Sequence, residues 1–419
     1  MPALCPAPFK GAGQQIENPQ QQSYVCGMSL PMSHDEPLRI QSLGKELMRL
    51  TVGGLFTLGL GALWLAAVWG TPASLHWLAQ STVLWLFIYF QTARRLTLNR
   101  AEPQSPLYAR LGWGNRLTLL RSWLIAATGG FLFQVWPEGA WLAWLPGMIY
   151  FFGAVLDRVD GFVARRTGQM SQLGNELDTV SDALGLAVAA GLAWSYGQVH
   201  WSYLLMGAAY YLFHAGLSVR RMRGLPIYPL PPAMHRRAWA GFQMGYLVVA
   251  LWPLFYPPVT RIAGFAFMLP TLTGFVIDWL VVSGRLERDA KVTRLRFDRL
   301  TLFSHAVLQP GLRLAIVTLL AFTLWRAGFP PVVIGGAVWP SIILLGYFAL
   351  AGTMVLLGIA GRYFCLLLIG LLGWFYISNP MDGADTVLFC CVVWSMLLGS
   401  GKFCLWQEDS HWINRYDGA

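Results

Sequence analysis

Four aspartates in one short stretch of the chain have the spacing of a single chemical site. The stretch runs DRVDGFVARRTGQMSQLGNELDTVSD, from Asp157 to Asp182. Asp157 and Asp160 are three residues apart, so both would lie on one face of a helix. Asp178 and Asp182 are four apart and would share a face of a second helix. Two antiparallel helices joined by a short turn would therefore point all four carboxylates at one another.

Carboxylates this close together repel one another and need cations. Arg158, Arg165 and Arg166 could neutralise part of the charge, but all-oxygen clusters are preferred by hard divalent ions such as Mg2+ and Mn2+. Two such ions could clamp a diphosphate and hold its leaving phosphate, while one carboxylate takes the proton of an attacking hydroxyl. The alternatives are an ion-pair network between two helix ends and an ion pathway across the membrane.

The surrounding composition is that of a membrane protein. Of the 419 residues, 56% are hydrophobic and 12% are charged, which excludes an ordinary soluble domain. Repeated apolar runs of about 18 to 25 residues could each cross roughly 30 Å of hydrocarbon as a helix. The sequence therefore predicts an all-α polytopic membrane protein with about twelve transmembrane helices, and a β-barrel is excluded. The net charge of +10 is explained by loop arginines, so no nucleic-acid partner is expected.

The runs divide the chain into four parts. Residues 1–40 are predicted to be a disordered tail, 41–96 a transmembrane hairpin, 97–297 a six-span domain and 298–419 a four-span C-terminal domain. A polar segment that opens the six-span domain, NRAEPQSPLYARLGWGNR, is predicted to be a helix lying in the membrane interface. The last four spans are placed near 301–325, 332–357, 359–378 and 385–403.

Arginines collect at alternate connections between the apolar runs. By the positive-inside rule the arginine-rich side is cytosolic, so the aspartate stretch is predicted to face the cytosol, in a bacterial inner membrane. The arginines are Arg110, Arg116 and Arg121, then Arg158, Arg165 and Arg166, then Arg220, Arg221, Arg223, Arg236 and Arg237, and those from Arg285 to Arg299.

The full spacing is DxxDGxxAR, eight residues, then GxxxDxxxD. It resembles the signature of the CDP-alcohol phosphotransferase (CDP-alcohol phosphatidyltransferase) family, and the resemblance covers about residues 105–285. The upstream run NRLTLLR, Asn115–Arg121, resembles the stretch that opens the first span in this family. The matched positions are Asp157, Asp160, Gly161, Ala164, Arg165, Gly174, Asp178 and Asp182.

The resemblance implies a six-helix membrane enzyme, often dimeric, that transfers a substituted phosphoryl group from a CDP-linked donor to an alcohol and releases CMP. It implies a site with Mg2+ or Mn2+, with two metal ions expected. By position it implies metal binding by Asp157, Asp160, Asp178 and Asp182, with Asp182 close to the metal and also acting as the general base. It implies that Gly161, Ala164, Arg165 and Gly174 form the walls of the CDP site, with Arg165 near the phosphates.

The substrates stay open at the level of sequence. CDP-diacylglycerol is the favoured donor, and the arginines from Arg220 to Arg237 could hold an anionic acceptor such as a polyol phosphate, or could only set topology. Phosphatidylglycerophosphate synthases commonly carry lysine after the last aspartate, where this chain has Ala183. Serine and inositol phosphate therefore remain alternative acceptors.

The C-terminal spans raise a second possibility. Their close, LLGSGKFCLW, resembles the DoxX family of small membrane proteins. Asp382 and Asp385 are expected to be helix-end residues, and the cysteines Cys390, Cys391 and Cys404 to be packing residues. The alternative functions are a membrane transporter, or a redox or scaffold protein in which the aspartate cluster is an ion site.

Overall fold

A computed structural model describes residues 36–139, 141–230, 234–286, 290–327, 332–334, 337–339 and 341–406. Within these residues the chain is almost entirely helical. The helices are α1 (Glu36–Val68), α2 (Thr71–Ala93), α3 (Trp113–Gly129), α4 (Leu145–Arg166), α5 (Gln172–Ser195), α6 (Leu204–Met222), α7 (Met234–Ala250), α8 (Val259–Val282), α9 (Ala290–Phe303), α10 (Gln309–Ala327), α11 (Ser341–Leu357), α12 (Gly361–Ser378) and α13 (Gly383–Leu398), and the strands are β1 (Val332–Ile334) and β2 (Ala337–Trp339).

The helices are those of an integral membrane protein. In the described part of the chain, five helical segments are long and apolar enough to cross a bilayer. Three shorter apolar helices lie in the C-terminal part. The total of about twelve spans stays a prediction. The five long segments are Glu36–Val68, Leu142–Arg166, Gln172–Ser195, Val259–Val282 and Asp298–Ala327.

Three local predictions differ from the structure. The predicted interfacial helix is wrong, because residues 99–112 form an irregular segment in which Pro103 and Pro106 disrupt helical hydrogen bonding. The span predicted at 332–357 becomes helical only at Ser341, and its start holds two antiparallel strands, of which β1 consists of β-branched residues. Helix α1 begins at Glu36, inside the predicted tail, whose first 35 residues lie outside the described residues.

The N-terminal hairpin is joined to the central helices by tryptophan side chains. Trp85 in α2 donates its indole N–H to the carbonyl of Thr51 in α1, at 3.0 Å. Trp77 reaches the carbonyl of Ala127 in α3 at 2.9 Å, and Trp123 of α3 reaches back to Gly54 at 3.0 Å. Each buried indole N–H is thus satisfied by the backbone of another helix, which fixes the hairpin against α3.

Helices α3, α4 and α5 meet closely because small residues line their contacts. A Cβ atom built on Gly114 of α3 would lie 2.8 Å from the Cβ atom of Ala164 in α4. Ser122 of α3 and Ser181 of α5 share a buried hydrogen bond of 2.6 Å. Such contacts let backbones approach and bring the start of α3, the end of α4 and the start of α5 to one end of the bundle.

The C-terminal helices pack on the central domain and carry their own polar anchors. Trp394 of α13 donates to the carbonyl of Ala266 in α8 at 2.9 Å. Asp382 caps α13 by accepting from the Asp385 N–H at 2.9 Å, and Asp385 accepts from the Asp382 N–H at 3.1 Å. The predicted helix-end role of both acids is confirmed, and each also pairs with Arg326.

Candidate active site

The two pairs of aspartates lie at the end of α4 and the start of α5, as their spacing predicts. Helix α4 ends before Gly168, whose φ of 63° turns the chain in a conformation that favours glycine. Ser171 then caps α5, because its hydroxyl accepts the Gly174 N–H at 3.0 Å. The turn between the helices is therefore short and fixed at both ends, which holds Asp160 and Asp178 near each other.

Three of the four predicted metal ligands form one oxygen cluster. Carboxylate oxygens of Asp157, Asp160 and Asp178 all lie within 4.8 Å of one another. An Mg2+ ion takes oxygen ligands at about 2.0–2.1 Å, so two ligands on opposite sides of it are about 4.2 Å apart. Small side-chain rotations would close this difference, and an all-carboxylate set suits a hard divalent cation. The residues therefore fit the predicted metal, while Asp182 lies outside this group of three.

The four carboxylates are joined by one guanidinium that the motif does not include. Arg121 of α3 donates from Nη1 to Asp157 at 2.5 Å and to Asp178 at 2.8 Å, with Asp160 at 3.5 Å. Its Nη2 donates to Asp182. Four acids thus face one arginine, and the cluster keeps an excess of negative charge that a further cation can balance.

The contact of Arg121 with the aspartates was missed at the level of sequence, where this residue was counted as a topology determinant and as the end of the Asn115–Arg121 run. A signal was present, since Arg121 lies within the apolar run LTLLRSWLIAATGG, where a buried arginine needs an acidic partner. Its position on α3 also places it one turn after Thr118. The Thr118 hydroxyl donates to Asp160 at 2.9 Å. Thr118 and Arg121, on one face of α3, therefore both donate hydrogen bonds to the aspartates.

The side chains at the inner end of the site are buried, and those at its open end, the mouth of the site, are partly exposed. Arg121 and Asp160 are almost fully buried, with 2% and 7% of their side chains exposed. Asp178 and Asp182 are 49% and 40% exposed. The inner residues can therefore hold a cation away from solvent, while the outer two carboxylates are open to a substrate and to water.

A buried network fixes the start of α5 against α3. The two N–H groups of the Asn115 side-chain amide are shared among three acceptors, which are Asn99 Oδ1 at 3.0 Å, the Leu111 carbonyl at 2.6 Å and Ser171 Oγ at 3.0 Å. Asn99 precedes the central helices, and its amide donates to the Arg110 carbonyl at 2.9 Å. The irregular segment before α3 is thus tied to the cap of the helix that carries Asp178 and Asp182.

The residues predicted to line the CDP site have packing roles of their own. Ala164 packs against Gly114, and a Cβ atom on Gly174 would lie 2.6 Å from Asn115 Oδ1. Arg165 is exposed, and its Nη1 would lie 3.3 Å from a Cβ atom on Gly161, so this side chain folds back over the helix. Contact of these residues with CDP stays a prediction.

Comparison with known proteins adds a family to this geometry. Residues 113–279 match the family described as CDP-alcohol phosphatidyltransferase. Over 84 residues the chain is 36% identical to the CDP-diacylglycerol–glycerol-3-phosphate 3-phosphatidyltransferase of Pectobacterium atrosepticum. That match covers 20% of this chain and 46% of the relative, so the chain spans about half of the relative's length. No solved structure matches the chain.

These comparisons confirm the predicted resemblance of the central part of the chain to this family and support the prediction of a phosphatidyltransferase enzyme. The family match includes all eight positions of the aspartate motif and stops before α9. Arg121 and Thr118 lie inside the matched region, whereas Asn99 and the N-terminal hairpin lie before it. The C-terminal helices are outside the match, so their predicted likeness to DoxX proteins stays a prediction.

Proposed function

We propose that the chain, whose residues 113–279 match the CDP-alcohol phosphatidyltransferase family, transfers a phosphatidyl group from CDP-diacylglycerol to an alcohol with release of CMP. The observation that carries the proposal is the four-aspartate cluster at the meeting point of α3, α4 and α5. We place the site on the cytosolic side of a bacterial inner membrane, where the nucleotide would be available.

The reaction breaks one phosphorus–oxygen bond and forms another. The hydroxyl oxygen of the acceptor attacks the phosphorus that bears diacylglycerol, and the bond from this phosphorus to the CMP oxygen breaks. CMP leaves with the electron pair of that bond. The hydroxyl proton goes to Asp182, whose half-exposed carboxylate lies at the mouth of the site.

Asp157, Asp160 and Asp178 would bind Mg2+ or Mn2+, in a site with room for two ions in our proposal. The metal supplies neutralisation of the diphosphate charge and of the leaving phosphate. The protein holds the ligands in place, because Asp160 is fixed by the Thr118 hydroxyl at 2.9 Å. Exclusion of water at Asp160 strengthens its attraction for a cation relative to an exposed carboxylate.

The acceptor that we propose is a small polyol phosphate. The matched relative acts on glycerol 3-phosphate, by its name, and Arg221 and Arg223 at the end of α6 are exposed. Arg220 is instead engaged with the carbonyls of Pro226 and Ser283, at 2.6 Å and 3.3 Å. Two arginines are therefore available for a phosphate.

An ion pathway is less well supported than phosphoryl transfer. A continuous cation route needs carboxylates spread across the membrane, and these four lie at one end of the bundle. The Arg121 guanidinium also occupies the middle of the cluster, where it would repel a passing cation.

The test uses purified full-length protein in lipid nanodiscs with CDP-diacylglycerol. We expect CMP release only when Mg2+ or Mn2+ and an acceptor are present, with glycerol 3-phosphate tested beside serine and inositol phosphate. Asp178→Asn should abolish release. CMP release that persists in excess chelator or in Asp178→Asn would contradict the metal mechanism, and release with serine alone would contradict the polyol phosphate. Cation flux in liposomes without nucleotide would favour the ion pathway.

A further inference from the structure

We propose that Arg121 sets the affinity of the aspartate cluster for divalent cations, because its guanidinium and the metal compete for the same carboxylate oxygens. This inference rests on the metal centre of the proposed function. It assigns to α3 a positioning residue that is not part of the aspartate motif.

The competition follows from which atoms are used. Arg121 Nη1 donates to Asp157 Oδ1 and Asp178 Oδ1 and lies 3.5 Å from Asp160 Oδ2. These are the three acids whose oxygens lie within 4.8 Å of one another. A cation placed among them would meet the positive charge of the guanidinium at a few ångströms, where two cations repel strongly.

Because Arg121 is buried, its guanidinium and the carboxylates depend on each other for stabilisation. With 2% of its side chain exposed, the guanidinium cannot be stabilised by water and depends on the carboxylates. The carboxylates in turn depend on a cation, because their mutual repulsion is only partly relieved without one. Arg121 therefore holds the ligands in a gathered arrangement and lowers the net charge that a metal would meet.

A buried hydroxyl lies in the electrostatic surroundings of the guanidinium. The hydroxyl of Tyr150 in α4 is buried and has no hydrogen-bond partner among the described residues. It lies near enough to Asp182 and Arg121 to interact electrostatically with both. If a metal took the oxygens of Asp157 and Asp178, the guanidinium charge would stay paired through the contact of Nη2 with Asp182.

The competing account is that Arg121 is only a structural tie. In that case its removal would loosen the ligands, and metal binding would weaken together with stability. The two accounts predict opposite changes in metal affinity, so they are separated by a titration that does not depend on catalysis.

The experiment measures binding of Mn2+ alone, from the electron paramagnetic resonance signal of free Mn2+, in purified full-length protein. Arg121→Gln should lower the Mn2+ concentration at half-saturation at least tenfold, which corresponds to about 1.4 kcal/mol. Thermal unfolding in chelator should occur at a lower temperature in Arg121→Gln than in the wild type, and excess Mn2+ should reduce this difference.

Arg116→Gln is the matched control, because Arg116 lies on the same helix but pairs with Glu46 at 2.6 Å. It should leave the Mn2+ midpoint unchanged. Arg121→Lys keeps the positive charge but lacks the two-pronged guanidinium, and it replaces Arg121→Gln in the experiment if that variant does not fold. The Mn2+ midpoint of Arg121→Lys should also fall, but by less than that of Arg121→Gln.

An unchanged or higher midpoint in the folded Arg121 variants would overturn the inference. The outcome is separate from that of the proposed function. A shifted midpoint in a protein that never releases CMP would leave the competition standing and remove the transferase. Metal-dependent CMP release with an unshifted Mn2+ midpoint would support the transferase and overturn the competition.

Discussion

Replacing Gly174 by alanine should destabilise the folded protein through a collision with a fixed amide. A Cβ atom at this position would lie 2.6 Å from Asn115 Oδ1, well inside van der Waals contact. Asn115 cannot easily move away, because the two N–H groups of its Nδ2 are shared among three acceptors, in Asn99, Leu111 and Ser171. The overlap must therefore be relieved by moving the backbone of α5 or by breaking part of this network.

The expected size combines two opposing terms. Overpacking in a buried site costs about 1–3 kcal/mol. Alanine in place of a helical glycine returns about 0.5–1 kcal/mol, because glycine loses more backbone freedom on folding. The midpoints of these two ranges differ by about 1 kcal/mol, so we expect Gly174→Ala to lower the free energy of unfolding by about that amount.

The assay is unfolding of the purified protein in mixed micelles, without metal or nucleotide, followed by tryptophan fluorescence. Gly245→Ala is the control, since Gly245 lies in α7 with no atom within 4 Å of a built Cβ, and it should be neutral or stabilising by about 0.5 kcal/mol. The same Gly174 substitution should cost close to nothing in an Asn115→Ala background, because the colliding amide is gone.

The coupling between the two positions is the part that can refute the reasoning. If Gly174→Ala destabilises equally with and without the Asn115 amide, the collision is not the cause. If the single variant is as stable as Gly245→Ala, Gly174 is needed only for contact with substrate, as the motif alone implies. Coupling of about 1–2 kcal/mol supports the packing role.

Three further changes test other parts of the structure by the same unfolding assay. Glu46→Gln should cost about 1 kcal/mol, because it removes the charge that pairs with Arg116 at 2.6 Å in a partly exposed site; a loss above 3 kcal/mol would mean that the N-terminal hairpin detaches. Asp385→Asn should cost about 1.5–3 kcal/mol, since its 1%-exposed carboxylate pairs with the partly exposed Arg326. CMP release should stay at the wild-type rate, whereas a loss would assign the C-terminal helices a part in transfer. Trp394→Phe should cost about 1 kcal/mol through its lost 2.9 Å hydrogen bond to α8; no change would mean that water replaces it.

The aspartates could be predicted from sequence because their spacing encodes their geometry. Residues three or four apart share a helix face whatever surrounds them. The turn between Arg166 and Gln172 was also readable, since the motif fixes the distance between the pairs. The cluster of Asp157, Asp160 and Asp178 therefore follows from local rules alone.

Arg121 and Asn99 could not be predicted in the same way. Arg121 lies 36 residues before Asp157, and Asn99 lies 16 residues before Asn115. Their contacts depend on how separate segments of the chain pack together, and the spacing of residues within one helix does not predict this packing. A buried arginine is expected to pair with an acidic residue, but this rule does not identify which acidic residue of the chain is the partner.

The ends of the helices depend on β-branched residues and prolines, which a hydropathy pattern does not take into account. Apolar runs predict a span wherever about 20 hydrophobic residues occur. They do not distinguish a strand of Val332, Val333 and Ile334 from a helix, and β-branched residues favour the strand. The irregular segment at 99–112 was misread because its aromatic and basic residues suit an interfacial helix, while its two prolines do not.

The most direct test of phosphatidyl transfer follows the phosphorus atom. Full-length protein in proteoliposomes is given CDP-diacylglycerol labelled with 32P at the phosphate that bears diacylglycerol, together with Mn2+ and glycerol 3-phosphate. The account predicts that the label passes into a new phospholipid, that CMP is released unlabelled, that Asp178→Asn gives neither product and that Glu176→Gln, a change in an exposed neighbour on α5, gives both. Label recovered in the nucleotide, or a labelled product formed by Asp178→Asn, would contradict it.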